Sequence, residues 1–183
     1  TRRDAGTPQY GMDDEARGLL NAAADHLVAW VQQQQVEGLT IEKLELEGTN
    51  DIRGDPFSPL IYAEIPANGD GMEDQGTIML YGHLDKQPPF TGWSSTGPYE
   101  PEIRTSPLDG RRKLYGRGGA DDGYSTFSAV TAVKALRAQG LPHARIVLLV
   151  EGSEESGSCD LPAYMEALRS RIGPVNLIIC LDS

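Results

Sequence analysis

Three apolar segments of this chain are each followed by side chains of the types that bind metal ions. The segments and their followers are 77–82 with His83 and Asp85, 145–150 with Glu154 and Glu155, and 175–181 with Asp182. Helical patterns separate the segments, which indicates an α/β fold with a mostly parallel, twisted sheet and helices on both faces. Parallel strands end at one edge of their sheet, where ligands bind. We therefore predict that these side chains share one site.

The first segment ends in His83 and Asp85, which are two residues apart. In an extended chain two such side chains point the same way. A histidine in a metal site binds the ion through one ring nitrogen, while a carboxylate accepts a hydrogen bond from the other. Taken alone, the pair is also compatible with a strand end that faces water.

Two acidic pairs require a similar comparison. Residues 116–123 form a glycine-rich loop before a helix, but Asp121 and Asp122 stand where a phosphate requires positive charge, and there is no Walker lysine. Asp121 either caps that helix or reaches the edge of the sheet. Taken alone, Glu154 and Glu155 favour a solvated loop. Beside the other motifs, one of them suits metal binding and the other suits a base that takes a proton from water.

The candidate ligands favour particular metals. A mixed histidine and carboxylate set suits Zn²⁺, and an oxygen-rich set also accepts Mn²⁺. Two divalent ions about 3.5–4 Å apart need a shared carboxylate and further ligands on each side, and such pairs activate water for hydrolysis. We therefore predict two divalent metal ions, and no other cofactor.

The remaining patterns predict the scaffold. Helices are expected at 12–35, from 123 to about 140 and at 161–172. Strands are expected at 39–46 and 59–65, with an edge strand at 99–104. Residues 1–11 are predicted to be a polar tail, and 86–94 a long irregular segment of the kind that is often functional.

Composition limits the partners and the compartment. A chain of 183 residues suits one domain, and its net charge of -11 without a basic patch argues against nucleic acid. No apolar run approaches the roughly 20 residues that cross a bilayer, so no membrane partner is expected. The two cysteines form no disulfide framework or zinc-finger spacing. Cys180 is predicted to be a buried thiol, and a cytoplasmic location is expected.

Three motifs in this chain resemble a known enzyme family. YGHLD at 81–85, LYGRGGADDG at 114–123 and EGSEESGS at 151–158 are similar to the dinuclear metallopeptidases that include carboxypeptidase G, aminoacylase and the carnosinase-type dipeptidases. The cytosolic nonspecific dipeptidase branch is the most similar, since GHLD followed by Gln-Pro recurs there. The resemblance implies the phosphorylase/hydrolase-like fold of zinc peptidases.

The resemblance also implies a role for each candidate residue. His83 and Asp182 would bind one metal, Asp121 would bridge both metals, Glu155 would bind the other metal, Asp85 would orient His83, and Glu154 would be the general base. In this family the peptide bond after the bridging aspartate is typically cis. The implied reaction is attack of activated water on an amide carbonyl, with Glu154 passing the proton to the leaving amine.

The chain departs from the family pattern in two ways, of which the first casts little doubt on metal binding. Many members have Asp-Asp-Lys-Gly, whereas this chain has Gly123 after Asp121 and Asp122. Members are also more than twice as long and carry a further metal-binding histidine downstream. We therefore expect residues 1–183 to be the N-terminal part of a catalytic domain. The rest of that domain and the lid or dimerisation domain would lie outside it, and the sheet would be incomplete at its C-terminal end.

The sequence thus predicts a two-metal hydrolase that cleaves dipeptides or similar small amides. Such an enzyme would be a homodimer in its full-length form and inactive as this segment alone. One alternative is an N-acyl amino acid deacylase, which uses the same metal centre. Another is a non-catalytic binding module on the same scaffold, although an intact Glu154 argues against it.

Overall fold

The computed structural model describes residues 14–93 and 97–182. The helices are α1 (Asp14–Gln33), α2 (Ser125–Ala138) and α3 (Leu161–Ile172). The strands are β1 (Thr40–Leu44), β2 (Leu60–Ile65), β3 (Thr77–His83), β4 (Glu102–Thr105), β5 (Arg112–Tyr115), β6 (Arg145–Glu151) and β7 (Leu177–Cys180). The polar tail and the helix start predicted at Met12 lie outside the described residues.

Five strands form one sheet in the order β1-β2-β6-β3-β7. The three strands that were expected to end at the site, β3, β6 and β7, run parallel to each other. β1 and β2 add an antiparallel margin, since β2 pairs antiparallel with β6. The predicted α/β class with a mostly parallel centre is confirmed. In the register of β3 and β6, His83 lies opposite Glu151, which brings both strand ends to one edge.

Helices cover both faces of this sheet, as predicted. On one face, Tyr164, Leu168 and Ile172 of α3 pack in a buried cluster with Tyr62 and Leu149 of the strands. On the other face, Ala24 of α1 and Ala129 of α2 pack on alternate strand residues, among them Ile61, Leu148 and Val150. Alternation along β2 and β6 therefore supplies both cores, because successive side chains of a strand point to opposite faces.

Two features of the scaffold differ from the prediction. Residues 175–181 were expected to be a buried strand, but β7 is exposed along its length, and Ile178 is 58% exposed. The expectation that Cys180 is buried is also wrong, since its thiol is free and exposed. β7 lies at the margin of the sheet, so apolar sequence alone did not establish burial. The predicted edge strand at 99–104 is β4, which pairs with β5 in a separate hairpin.

No helix in the described part of the chain is both long and apolar enough to cross a membrane.

Candidate metal centre

His83, the last residue of β3, lies in the middle of the candidate site. Its ring is buried, and Nε2 faces three carboxylates from three different parts of the chain. The distances from Nε2 are 3.1 Å to Asp121 Oδ1, 3.8 Å to Asp182 Oδ1 and 4.0 Å to Glu154 Oε2. These three carboxylates, which follow His83 by 38 to 99 positions in the sequence, thus meet it at the carboxyl edge of the parallel strands.

The donor atoms fall into two overlapping groups. His83, Asp121 and Asp182 have ligand atoms within 4.8 Å of one another, and so do His83, Glu154 and Glu155. The structure therefore brings every predicted ligand into one neighbourhood. A histidine with several carboxylates is a donor set that Zn²⁺ and Mn²⁺ accept, so the residues present fit divalent metal ions.

Asp85 connects the histidine to the glutamates. Its Oδ1 lies 3.3 Å from His83 Nδ1, the ring nitrogen that faces away from the other carboxylates. The same carboxylate accepts hydrogen bonds from the backbone N–H groups of Glu154, at 3.2 Å, and Glu155, at 3.0 Å. Both glutamates lie on a short 3₁₀ turn after β6, and Asp85 satisfies amides at the start of that turn. Asp85 is therefore placed to orient the ring and the glutamates together.

The loop that carries Asp121 is fixed to β3 by the next residue. The fully buried Asp122 accepts hydrogen bonds from the backbone N–H of Tyr124 and Ser125 at the start of α2, and its other oxygen accepts one from the backbone N–H of His83 at 3.0 Å. Of the two aspartates, Asp122 is thus the one that caps the helix. Gly82 allows the close approach, since a Cβ there would lie 2.6 Å from Asp122 Oδ2.

The electrostatics of the cluster indicate an excess of negative charge. Burial raises the pKa of Glu154, and the charges of Glu155 and Asp182 raise it further. Burial likewise raises the pKa of Glu155, with a further contribution from Asp121. Burial lowers the pKa of His83, but the hydrogen bond to Asp85 and the charge of Asp85 outweigh it and raise this pKa to about 9. Bound cations would relieve the same repulsion.

Sequence reasoning assigned no role to two residues that contact this cluster. The side-chain amide of Gln87 donates to Glu155 Oε2, and the backbone N–H of Gln87 lies 3.2 Å from Oε1. Lys86 reaches the loop of Asp121 and Asp122. The Gln-Pro that follows GHLD in the motif was the available signal for Gln87. The expectation of a cis peptide bond after Asp121 is wrong for this structure, because the described residues contain no cis peptide bond.

A model of peptidase family M20/M25/M40 matches residues 79–181, which include most of β3, the Asp121 loop, the glutamates and β7. The chain belongs to this family. The resemblance to a metallopeptidase family is therefore confirmed, and the metal dependence of this family agrees with the cluster of metal-binding side chains at the site.

Several relatives of this chain have dipeptidase names. The human Beta-Ala-His dipeptidase is 37% identical over 133 residues, which cover 70% of this chain and 24% of that protein. The Cys-Gly metallodipeptidase dug1 of Schizosaccharomyces pombe is 32% identical over 170 residues, which cover 90% of this chain and 33% of the dug1 protein. The crystal structure of human carnosine dipeptidase 1 is 29% identical, with a TM-score of 0.66, and the match covers 98% of this chain and 35% of that one. The chain thus spans about a quarter to a third of these relatives.

Proposed function

We propose that the protein containing this chain is a two-metal peptidase that hydrolyses dipeptides or similarly small amides. The observation that carries the proposal is the convergence of His83 with Asp121, Glu154, Glu155 and Asp182 at one edge of the sheet. The dipeptidase names of the relatives support the choice of substrate class.

In the proposed centre, His83 and Asp182 would hold one divalent ion, Glu155 would hold the other, and Asp121 would be shared between them. The position of Asp121 Oδ1, 3.1 Å from His83 Nε2, supports this sharing, as does the effect of Asp121 on the pKa of Glu155. Zn²⁺ is the favoured metal, with Mn²⁺ as the other. Divalent ions bound here would polarise the amide carbonyl and make a water molecule more acidic.

Glu154 is proposed to be the general base. Its carboxylate reaches the cluster but is the most distant from His83 Nε2 of the three that surround it, at 4.0 Å. Burial and the neighbouring carboxylates raise the pKa of Glu154, which is the direction that suits a general base. Glu154 would take the proton from the attacking water and deliver it to the leaving amine, while Asp85 keeps His83 in the tautomer that presents Nε2.

The domain assignment is also a proposal. We infer that residues 1–183 are the N-terminal part of a catalytic domain whose remainder, with a lid or dimerisation domain, lies elsewhere in a longer homodimeric protein. Two observations support the longer protein: the chain covers 24% and 33% of two relatives, and β7 leaves an apolar face exposed. A cytoplasmic location without nucleic acid or membrane partners belongs to the same proposal, and the two free cysteines are compatible with it.

The test is a substrate panel with the full-length protein loaded with Zn²⁺ or Mn²⁺. Hydrolysis of dipeptides that stops on chelation and returns with metal supports the proposal. Activity on N-acyl amino acids but not on dipeptides would instead establish the deacylase alternative. Metal-dependent binding of both substrate classes without hydrolysis would indicate the non-catalytic binding module.

A further inference from the structure

Lys86 directs its ammonium group into the backbone beneath the metal ligands. Its Nζ donates to the carbonyl oxygen of Leu84 at 2.8 Å, to that of Asp85 at 3.1 Å and to that of Asp122. An ammonium has three N–H donors and no acceptor, so these three carbonyls can use all of its hydrogen-bonding capacity. The lysine is only partly exposed, which distinguishes it from a solvated surface side chain.

The three carbonyls belong to the two segments next to the proposed metal ligands, which are the residues after β3 and the loop before α2. Leu84 and Asp85 follow His83, and Asp122 follows Asp121. The backbone N–H of His83 already donates to the side chain of Asp122, so Lys86 adds a second connection between the same loops. Together these bonds hold β3 and the start of α2 at a fixed separation.

The path of the lysine side chain depends on a glycine. Gly118 has a φ of +78°, and a Cβ at this position would lie 2.7 Å from Lys86 Cδ. Gly123, where many family members carry lysine, leaves no room for a side chain, since a Cβ there would overlap the carbonyl oxygen of Gly118. In this chain the cation beside Asp122 therefore comes from the β3 side of the site rather than from the α2 side.

We propose that Lys86 is a positioning residue for the metal centre: it fixes the spacing between His83 and Asp121 by bonding the backbone of both loops. The proposal rests on the proposed function for its relevance to catalysis. Lys86 contacts no ligand carboxylate in this role, so its effect passes through the loops. A hydrogen-bonding partner behind metal ligands typically contributes about 10–100-fold to metal affinity.

A different explanation is that Lys86 only offsets negative charge. Burial lowers the pKa of Lys86, and the charges of Asp122, Asp85 and Asp121 oppose that effect, so the acidic residues do favour its charged form. Arginine separates the two explanations, because it keeps the charge while its planar fork cannot place three donors where a compact ammonium does. Lys43 provides a matched control, since it is a partly buried lysine on β1 that pairs with Asp25 away from the site.

The experiment compares Lys86→Met, Lys86→Arg and Lys43→Met in the full-length protein. Zn²⁺ affinity is measured by competition with a chromophoric chelator, together with kcat and KM for a dipeptide and the thermal unfolding of the metal-free protein. We expect Lys86→Met and Lys86→Arg both to weaken Zn²⁺ binding about 10–100-fold and to lower kcat more than KM changes. Lys43→Met should bind Zn²⁺ as the wild type does.

Two results of the comparison between Lys86→Met and Lys86→Arg would overturn the proposal. One is a folded Lys86→Met that binds Zn²⁺ like the wild type, and the other is complete rescue by Lys86→Arg, which would leave charge alone as the explanation. If Lys86→Met does not fold, Lys86→Gln keeps two N–H donors and must show an intermediate Zn²⁺ affinity; wild-type affinity would overturn the proposal as well. A wild-type protein inactive on dipeptides would contradict the proposed function, while the ratio of Zn²⁺ affinities would still decide the role of Lys86.

Discussion

The Asp85 carboxylate accepts a hydrogen bond from the backbone N–H of Glu155 at 3.0 Å while its other oxygen lies 3.3 Å from Nδ1 of His83. One side chain thus connects the end of β3 to the turn after β6. Movement of Asp85 would displace a histidine ligand and a carboxylate ligand of the proposed centre at once. The two strands could not adjust their ligands independently.

The substitution Asp85→Asn tests this connection. Asparagine has one side-chain acceptor oxygen in place of two, so it cannot accept from the two glutamate amides as the carboxylate does, and it removes the negative charge beside His83 Nδ1. We expect Zn²⁺ affinity of the full-length protein to fall about 10–100-fold, measured by chelator competition. Asp109→Asn is the control, because Asp109 pairs with Lys113 at the separate hairpin. Equal affinity of Asp85→Asn and the wild type would contradict the connection.

The substitution Glu154→Gln tests the proposed base. The amide cannot take a proton from water, so kcat for a dipeptide should fall roughly 10²–10⁴-fold. Bound metal, counted by elemental analysis, should not change, because Glu154 is not proposed as a ligand. Loss of a metal ion from this variant would move Glu154 from the base to the ligand set, and retained activity would exclude it as the base.

Metal binding should release protons. The Asp85 contact overcomes the effect of burial and raises the pKa of His83 to about 9, so the ring is protonated at pH 7 without metal and must lose its proton to bind one. Zn²⁺ affinity should therefore increase with pH up to about 9. Titration calorimetry in two buffers of different ionisation enthalpy measures the release, and His26→Gln, an exposed histidine on α1, is the control. Identical heats in both buffers would contradict this expectation.

Gly82→Ala should destabilise the protein through crowding. The added Cβ would overlap Ser125 and lie 2.6 Å from Asp122 Oδ2, which would push the start of α2 from β3. Overpacking of this kind costs about 1–3 kcal/mol of unfolding free energy. Gly18→Ala is the matched control at an exposed position of α1, where nothing lies within 4 Å of the new Cβ. That variant should gain about 0.5–1 kcal/mol, because alanine favours helix.

Denaturant unfolding of both glycine variants measures the difference. Equal stability of Gly82→Ala and the wild type would mean that α2 approaches β3 less closely than the structure indicates. A loss at Gly18→Ala would mean that α1 contributes something other than helix propensity at that position.

The sequence predicted the elements of this fold because hydrophobic period and helix termini are local signals. The helix predicted at 161–172 is α3 with the same bounds, and the strand at 145–150 is β6 extended by Glu151. Convergence of the ligands was predictable for a related reason: β3, β6 and β7 are parallel, and parallel strands put their carboxyl ends together.

The contacts that fix the site geometry were less accessible to sequence reasoning. From the sequence alone, Lys86 is a lysine in a loop. Only the fold brings the backbone carbonyl of Asp122 next to the ammonium group of Lys86. The exposure of β7 could not be predicted, because an apolar run has the same composition whether or not another layer of the protein covers it. The contacts of Lys86 and the exposure of β7 both depend on residues distant in sequence, and such dependence gives no periodic pattern in the sequence.

The open side of β7 has a consequence for handling the molecule. Among the described strands, β7 pairs with β3 alone, so a row of backbone N–H and C=O groups beside Leu177, Ile178 and Ile179 faces outward. An exposed edge strand of this kind promotes aggregation, because it can pair with the edge strand of another copy. Residues 1–183 expressed by themselves are therefore expected to aggregate, and a charged residue substituted into β7 should reduce the aggregation.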